Sequence, residues 1–386
     1  MKRILCILTA CCVLLLSGCV NGAAAPAGSE AVTVKPSSSG AGAASSTGAV
    51  SSEASEGAIW PTKGWSTSAP EEQGIDPALL EKADARIGEN YPNIYSLLVV
   101  RHGMLVYEKY YQGMNEDSAN PVYSVTKSVL SALTGIAIRE KLIENVDQKV
   151  SEFMPELFNG VDNPQKNDIT IQNVLTMSGG LKTIDDDYAS YFTSQSWLSY
   201  ALQKPLTDKP GEKFVYNTGL THFLSGIITE TSAMSTRDFA EKFLFSQIGI
   251  TAGQWDQDMS GYYCGGSGLY LTPRDMAKLG YLYLNKGRWD GKQIIPEEWV
   301  AASTQKQITV NEGVDYGYLF WIQPMQDAAH NKTYATFRAD GAGGQKVVVI
   351  PELDTVVVIT ANLFSASLDK ADTQALIPDY ILPAIT

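Results

Sequence analysis

Three serine–lysine pairs, spaced as Ser-x-x-Lys, could carry nucleophilic chemistry in this 386-residue sequence. One turn of helix places both side chains on the same face, so a deprotonated lysine amine can take the proton of the serine hydroxyl. The pattern alone also arises by chance. The pairs are Ser124/Lys127, Ser303/Lys306 and Ser367/Lys370. Ser303 ends a short helical segment and Ser367 lies in a polar stretch, so both are predicted to be solvated surface residues.

The surroundings of Ser124 distinguish it from the other two serines. It opens a long apolar helix, predicted over residues 122–141, directly after the helix breaker Asn120-Pro121. The free N–H groups and positive dipole end of a buried helix N-terminus stabilise the oxyanion of acyl transfer. The same apolar surroundings disfavour the charged form of Lys127 and so favour its use as a base. We therefore predict Ser124 as the nucleophile and Lys127 as its base.

The elements that must position this pair follow a simple order along the chain. Strand patterns predict a hairpin over residues 94–111 and a closing strand pair over residues 346–360. Helices are predicted over residues 78–87, 122–141, 221–231, 236–245 and 273–284. This order indicates a three-layer α+β fold: an antiparallel sheet built from both chain ends, flanking helices, and an inserted, mostly helical lobe over roughly residues 156–262.

The first residues predict export. Lys2-Arg3 precede an apolar stretch over residues 4–16, which has the length of a signal peptide rather than of a membrane span. It ends at Cys19 in a sequence that resembles the bacterial lipoprotein cleavage box, so Cys19 is the predicted lipidation site; the alternative is an ordinary signal peptide cut nearby. Residues 20–58 are rich in Ala, Ser and Gly and predict a flexible linker. Residues 59–386 would then form an extracytoplasmic domain anchored to a bacterial membrane.

Composition excludes several functional classes. The chain is 44% hydrophobic and 18% charged, as in globular proteins, and its formal charge of -13 argues against nucleic-acid binding. Its three histidines form no metal-binding pair, which argues against a zinc hydrolase. A Gly-x-Ser-x-Gly elbow is also absent from the sequence, which argues against a Ser-His-Asp hydrolase. No metal and no cofactor is predicted.

Other features allow two interpretations each. Cys264 could be a nucleophile, although a lone cysteine is more commonly a buried thiol. His222 could line the site or be a structural histidine on a helix. The run Asp185-Asp-Asp187 could bind calcium, but it lacks the twelve-residue ligand pattern and is predicted to be a solvated loop. Four aromatic residues could form a wall of the substrate cleft or pack the lobe. They are Tyr188, Tyr191, Phe192 and Trp197.

The segment around Ser124 resembles the nucleophile segment of a known enzyme family. Val122-Tyr-Ser-Val-Thr-Lys-Ser-Val-Leu is similar to that of the serine hydrolases related to class C β-lactamases, DD-peptidases, esterases and 6-aminohexanoate-dimer hydrolase. Further stretches match this family in the same order. They are residues 168–181, 210–219, 268–280, 287–296 and 341–345. The resemblance runs from about residue 74 to the last strand, and it implies a β-lactamase-like fold and no cofactor.

The resemblance also implies partners for the nucleophile. The family has a Tyr-x-Asn motif whose tyrosine moves protons; the matching position here is Tyr216-Asn-Thr218, so Tyr216 is implied as a second acid/base and Thr218 as a substrate contact. A Lys-Thr-Gly motif on a strand is replaced by Ala-Asp340-Gly341. That strand should supply the second oxyanion N–H, with Ala342 the first choice and Gly341 and Gly343 beside it.

These residues point to acyl transfer through Ser124. We expect a carboxylesterase or amidase acting on small esters, amides or peptides. The alternatives are a DD-peptidase or β-lactamase-type enzyme acting on cell-wall peptides or β-lactams, and a non-catalytic penicillin-binding-like protein. Loss of the Lys-Thr-Gly cation argues against efficient β-lactam hydrolysis, because Asp340 would repel a substrate carboxylate.

Overall fold

The computed structural model describes residues 60–362, 364 and 373–385. The predicted signal peptide with Cys19, the linker, and the pair Ser367/Lys370 lie outside the described residues. Among the helices that the structure describes, none combines the length and the apolar character needed to cross a bilayer.

Strands from both ends of the chain form the main sheet. The strands are β1 (Ile94–Arg101), β2 (Met104–Tyr110), β3 (Asn120–Pro121), β4 (Tyr270–Leu271), β5 (Arg288–Trp289), β6 (Lys292–Gln293), β7 (Ile308–Asn311), β8 (Val314–Tyr316), β9 (Trp321–Ile322), β10 (Met325–Asp327), β11 (Lys332–Tyr334), β12 (Phe337–Gly341), β13 (Gln345–Ile350) and β14 (Thr355–Ala361). Within the described residues, eight of them make one antiparallel sheet in the order β2-β1-β14-β13-β12-β9-β8-β7. The predicted hairpin and closing strand pair are confirmed, and they lie side by side because β1 pairs with β14.

Helices cover both faces of this sheet and form the lobe. The α-helices are α1 (Pro77–Asn90), α2 (Val125–Arg139), α3 (Val150–Phe153), α4 (Pro155–Phe158), α5 (Ile171–Leu175), α6 (Tyr188–Thr193), α7 (Trp197–Gln203), α8 (Thr218–Ser232), α9 (Thr236–Ala240), α10 (Ser246–Ile248), α11 (Pro273–Leu284), α12 (Glu297–Ser303) and α13 (Leu382–Ala384). A π-helical segment, Glu241–Phe245, joins α9 to α10. Helices α3 to α10 follow α2 and precede α11, where the helical lobe was predicted.

The alternation of side chains along β1 creates the three layers. Leu98 and Val100 belong to one buried cluster together with residues of α2 and α11. Leu97 and Val99 belong to a second cluster on the other face, with residues of α1 and the C-terminal segment. Successive side chains of a strand point to opposite faces, so a strand that is apolar at every position must be covered on both sides. The predicted three-layer α+β class is confirmed.

Helix α2 runs through the centre of one layer. All thirteen residues from Val125 to Ala137 are buried, which matches the apolar character of the sequence on every side of the helix. Glycine at position 135 allows this close packing, because a Cβ there would lie 2.4 Å from the Trp299 ring. The helix that presents Ser124 is therefore fixed by the core rather than held at the surface.

The prediction that Ser303 is a solvated surface residue was wrong. Its side chain is buried at the end of α12 and its hydroxyl donates to Trp299 O at 2.6 Å. Gly317 packs directly on the Ser303 carbonyl and covers this helix end. Lys306 lies beyond the helix and forms a salt bridge with Asp315. The pair therefore does not share a helical turn, as Ser-x-x-Lys chemistry requires.

Candidate active site

The chain enters α2 through a constrained turn. Tyr123 has a φ of 47°, a left-handed conformation that is unfavourable for a residue with a Cβ and that clusters at functional sites. On the N-terminal side, β3 pairs with β4 and the Val122 N–H donates to Leu269 O at 2.9 Å. Ser124 is thus held from both directions, by α2 behind it and by a short antiparallel ladder in front.

The helix N-terminus leaves one N–H available at Ser124 itself. The N–H groups of Val125, Thr126 and Lys127 donate to the carbonyls of Val122, Tyr123 and Ser124 at 3.0–3.1 Å. The Ser124 N–H has no acceptor among the residues that the structure describes, and the Ser124 hydroxyl does not cap the helix. An unused N–H beside a nucleophilic serine, as Ser124 is predicted to be, is the type of donor that stabilises an oxyanion.

Lys127 is buried and its amine contacts three oxygens. Nζ lies 2.9 Å from Ser124 Oγ, 3.0 Å from Thr218 Oγ1 and 2.7 Å from Gly266 O. Its side chain is 1% exposed, so these contacts replace nearly all of its hydration. The predicted pair of serine and lysine therefore meets at hydrogen-bond distance, together with two oxygens supplied by elements far away in the sequence.

Tyr216 lies beside the same amine, with its ring rather than its hydroxyl in contact. Lys127 Nζ is 4.9 Å from the centre of the Tyr216 ring, which stacks on Trp321 with a centroid distance of 5.9 Å. Between the described side chains, no hydrogen bond joins the Tyr216 hydroxyl to Ser124 or Lys127. The structure thus brings Tyr216 into the site but leaves its acid/base role a prediction.

Thr218 connects Lys127 to Asp185, which the sequence interpretation had placed in a solvated loop. Thr218 begins α8 after the helix cap Asn217, whose Oδ1 accepts from the Gly219 N–H at 3.1 Å. The Thr218 N–H and hydroxyl both donate to the Asp185 carboxylate, each at 2.7 Å. The sequence interpretation of this aspartate was therefore wrong, because it binds the residue that touches the lysine.

The aromatic residues near Asp185 divide between the site and the lobe. Tyr188 is 42% exposed and its hydroxyl lies 3.2 Å from Thr218 Oγ1. Tyr191 and Trp197 are buried, and their rings pack 5.6 Å apart inside the lobe. Of these four aromatic residues, Tyr188 contacts Thr218, whereas the Trp197 ring packs 5.5 Å from that of His222.

The loop 265–266 supplies the third contact of Lys127 and packs tightly on α8. A Cβ on Gly265 would fall 2.4 Å from Thr221 O, and one on Gly266 would fall 2.6 Å from Thr218 O. Only glycine allows the loop to approach the helix this closely. This close packing fixes the Gly266 carbonyl, which accepts from Lys127 Nζ at 2.7 Å.

His222 and Cys264 lie behind this loop and away from solvent. His222 Nδ1 accepts from the Gly265 N–H at 3.2 Å, while Nε2 is 3.6 Å from Asp258 Oδ2. Burial lowers the pKa of His222, which keeps the ring neutral and Nδ1 able to accept. Burial raises the pKa of the Cys264 thiol. These contacts are those of a structural histidine and an inert buried thiol rather than of a nucleophile.

The turn between β12 and β13 reaches the segment before Ser124. A Cβ on Gly341 would lie 2.3 Å from Val122 O, so this glycine packs directly on the nucleophile turn. Gly343 has a φ of 78° and packs on Phe364, whose ring is 5.3 Å from that of Tyr123. Ala342 is exposed between them. The structure thus places the predicted oxyanion segment beside the turn that carries Ser124.

Asp340 is paired with two cations. Its carboxylate lies 2.7 Å from Arg338 Nε and 3.3 Å from Lys346 Nζ, which is its cross-strand partner. The neighbouring Ala339 lines a small apolar cavity with Val125, so Asp340 belongs to the opposite face of the sheet. Ion pairing and this orientation both weaken the repulsion of a substrate carboxylate expected from the sequence.

Comparison with known proteins identifies the family. A sequence model of the family described as Beta-lactamase matches residues 95–378. The chain belongs to the beta-lactamase family. The family resemblance identified from the sequence is confirmed.

Proteins similar to this chain bear the names of different enzymes. The 6-aminohexanoate-dimer hydrolase of Paenarthrobacter ureafaciens is 22% identical over 284 residues, covering 68% of this chain and 71% of that protein. The structure of EstCE1, a hydrolase with promiscuous acyltransferase activity, aligns with a TM-score of 0.66 at 16% identity, covering 81% of this chain and 100% of that one. A class C beta-lactamase from Rhodobacter sphaeroides aligns with a TM-score of 0.62 at 15% identity, again covering 81% and 100%. These structural likenesses establish the fold.

Among the described residues, no group of three or more His, Cys, Asp or Glu side chains is arranged to hold a metal ion. The run Asp185-Asp-Asp187 instead separates into different environments. Asp185 binds Thr218, Asp186 is exposed, and Asp187 accepts from the Tyr200 hydroxyl at 2.6 Å. The calcium alternative for this run therefore gains no support from its geometry.

Proposed function

We propose that this protein is a serine hydrolase that cleaves ester or amide bonds of small molecules through an acyl-enzyme on Ser124. The observation that carries the proposal is the set of oxygens around Lys127 Nζ. Gly266 O can only accept a hydrogen bond, and the Thr218 hydroxyl uses its proton on Asp185 and so also accepts from the lysine. A neutral amine donates two hydrogens to these two oxygens, and its lone pair then faces Ser124 Oγ.

This arrangement gives each step a donor and an acceptor. The Ser124 hydroxyl transfers its proton to Lys127 Nζ as the oxygen attacks the substrate carbonyl. The resulting ammonium has three hydrogens and three oxygen neighbours, so its charge is stabilised without solvent. The proton then passes to the leaving group, with the Tyr216 hydroxyl as the proposed relay, and water releases the acyl group by the reverse path.

The oxyanion would be bound by two backbone N–H groups. The Ser124 N–H is one, because it has no acceptor among the described residues. We propose Ala342, in the turn that Gly341 brings against Val122, as the source of the second. Hydrogen bonds from two such donors stabilise an oxyanion more strongly in a water-poor cleft than in bulk water, because the local dielectric constant is lower.

Small esters and amides are the favoured substrates over β-lactams. Where lactamases carry a lysine, this chain has Ala339, which is buried and uncharged. The nearest cations on these strands, Arg338 and Lys346, are paired with Asp340. A substrate carboxylate would therefore find no free cation on these strands, whereas a neutral acyl group needs none. The relative named 6-aminohexanoate-dimer hydrolase and the similar structure of EstCE1, a hydrolase with promiscuous acyltransferase activity, support this preference.

Labelling of Ser124 tests the proposed function. A fluorophosphonate should modify the wild-type protein once, and peptide mass mapping should place the label on Ser124. The Ser124→Ala variant should not be labelled. Ser303→Ala is the matched control, since it removes a serine from another Ser-x-x-Lys pattern and should leave labelling unchanged. A wild-type protein that no phosphonate, ester or β-lactam acylates would overturn the proposal.

A substrate panel then separates the classes. Short p-nitrophenyl esters and linear amide oligomers should be hydrolysed faster than nitrocefin or D-Ala-D-Ala peptides. Faster turnover of the last two would instead support the DD-peptidase or β-lactamase alternative.

We also propose export and lipid anchoring through Cys19, supported by residues 2–19 alone. Incorporation of radioactive palmitate in a bacterial host, and its loss in Cys19→Ala, would test the anchor.

A further inference from the structure

Asp185 accepts four hydrogen bonds, which is the full capacity of a carboxylate. One oxygen accepts from the Thr218 N–H at 2.7 Å and from Thr183 Oγ1 at 2.8 Å. The other accepts from Thr218 Oγ1 at 2.7 Å and from the Tyr188 hydroxyl. An ionised carboxylate has about four lone-pair sites and no hydrogen to give. Every neighbour of Asp185 must therefore act as a donor, including the Thr218 hydroxyl.

The direction of the Thr218 O–H bond decides whether this hydroxyl donates to Lys127 Nζ or accepts from it. A threonine hydroxyl rotates freely and can either donate or accept. If its hydrogen pointed at Lys127, it would compete with Ser124 for the lone pair of the neutral amine. With its hydrogen committed to Asp185, the oxygen lies 3.0 Å from Nζ as an acceptor. The lone pair of the amine is then left for the nucleophile.

We propose that Asp185 is a positioning residue, acting through the Thr218 hydroxyl to orient the amine of Lys127 toward Ser124. The inference rests on the proposed function, because it assigns a role within that acyl transfer. It concerns a residue outside the sequence motifs that suggested the nucleophile. Thr218 occupies the position of the motif's asparagine. An amide oxygen can only accept a hydrogen bond, whereas a hydroxyl can also donate one. A threonine at this position therefore needs a partner such as Asp185 to take its hydrogen.

The surroundings of the Thr218 hydroxyl leave Asp185 as its acceptor. The other groups within hydrogen-bond distance of Thr218 Oγ1 are Lys127 Nζ at 3.0 Å and the Tyr188 hydroxyl at 3.2 Å. Burial, followed by the charge of Asp185, raises the pKa of the Tyr188 phenol and keeps it a neutral donor. The Asp185 carboxylate, 2.7 Å away, is therefore the group toward which the Thr218 hydrogen turns.

Three variants test the inference through the rate at which a fluorophosphonate labels Ser124. Asp185→Asn should slow labelling by about tenfold or more, because its amide donates to Thr218 and turns that hydroxyl toward Lys127. Thr218→Val should slow labelling to a similar extent. The double variant should be no slower than Thr218→Val, since Asp185 acts through that hydroxyl.

Matched controls separate this role from a structural one. Asp186→Asn removes the same charge from the adjacent exposed residue and should leave the labelling rate unchanged. Thr218→Ser retains the hydroxyl and should restore most of the rate, which keeps the test available if Asp185→Asn does not fold. An equal loss from Asp185→Asn in the wild-type and Thr218→Val backgrounds would overturn the inference. A wild-type rate for Thr218→Val would also overturn it. If wild-type Ser124 is never labelled, it is the proposed function that fails.

Discussion

Replacing Gly266 by alanine should detach Lys127 from one of its two fixed acceptors. A Cβ on Gly266 would lie 2.6 Å from Thr218 O and 2.8 Å from Thr221 Oγ1. Ordinary contacts between such atoms are about 3.5 Å, so the loop must move away from α8 by roughly 1 Å. The Gly266 carbonyl, now 2.7 Å from Lys127 Nζ, would then lie beyond hydrogen-bond distance. The amine could turn toward the vacated side, away from Ser124.

Gly266→Ala should lower both the free energy of unfolding and the rate of Ser124 labelling, and the two effects can be measured separately. Overpacking of this filled site should lower the free energy of unfolding by about 1–3 kcal/mol, as followed by tryptophan fluorescence in urea. A displacement of about 1 Å near a reacting group should slow fluorophosphonate labelling of Ser124 roughly 100-fold. Lowered stability alone would not slow labelling at a temperature where the variant is folded.

Gly88→Ala is the control for this experiment. Gly88 lies inside α1 and a Cβ there would meet nothing within 4 Å. The change should raise stability by about 0.5–1 kcal/mol through helix propensity and leave labelling unchanged. If Gly266→Ala is labelled as fast as the wild-type protein, then the Gly266 carbonyl does not set the position of Lys127, and the proposed orientation of the amine loses its basis.

Two further predictions address the surroundings of the site. His222→Asn keeps an acceptor for the Gly265 N–H but removes a ring whose pKa burial lowers. In the wild type the unfolded ring takes up a proton below about pH 6.5 while the buried ring does not, so the free energy of unfolding should fall as the pH drops from about 7 to about 5. The free energy of unfolding of the variant should fall less over that pH range. If the free energies of unfolding of the variant and the wild type fell equally with pH, the reasoning would be contradicted. Gly341→Ala would place a Cβ 2.3 Å from Val122 O and push the β12–β13 turn away from Ser124. Labelling should slow by about 100-fold, and an unchanged rate would remove this turn from the oxyanion site.

Local sequence patterns predicted the elements of the fold well. The helix predicted over residues 122–141 is observed as Val125–Arg139, and the helix predicted over residues 273–284 is observed as Pro273–Leu284. The family resemblance also pointed to the segment that carries Ser124 and Lys127, whose side chains lie 2.9 Å apart. These successes depend on apolar periodicity and on contiguous motifs, both of which are encoded within a single stretch of chain.

Contacts between segments that are far apart in the sequence could not be predicted from local patterns. Asp185 meets Thr218 across 33 positions, and the acceptor at Gly266 is a backbone carbonyl 139 positions from Lys127. A carbonyl leaves no residue-type signature, and the loop conformation that brings Asp185 to α8 depends on tertiary packing. The pairing of Asp340 with Arg338 and Lys346 could have been predicted from the sequence. Residues two positions apart on one strand share a face of the sheet, as do residues that pair across a hairpin, and here these neighbours carry opposite charges.

The structure separates the parts that would set the proposed reaction from the parts that could select its substrate. Ser124, Lys127 and their oxygens come from α2, the start of α8 and the loop 265–266, all packed into the core. The exposed residues around them are Tyr188, at the start of α6, and Ala342 and Phe364, on turns. Substitutions at exposed positions cost little stability, whereas changes around the buried amine disturb a packed core. Under the proposed function, an uncharged residue at Ala339 therefore leaves the pair of Ser124 and Lys127 in place, and this pair supports acyl transfer without specifying the acyl group.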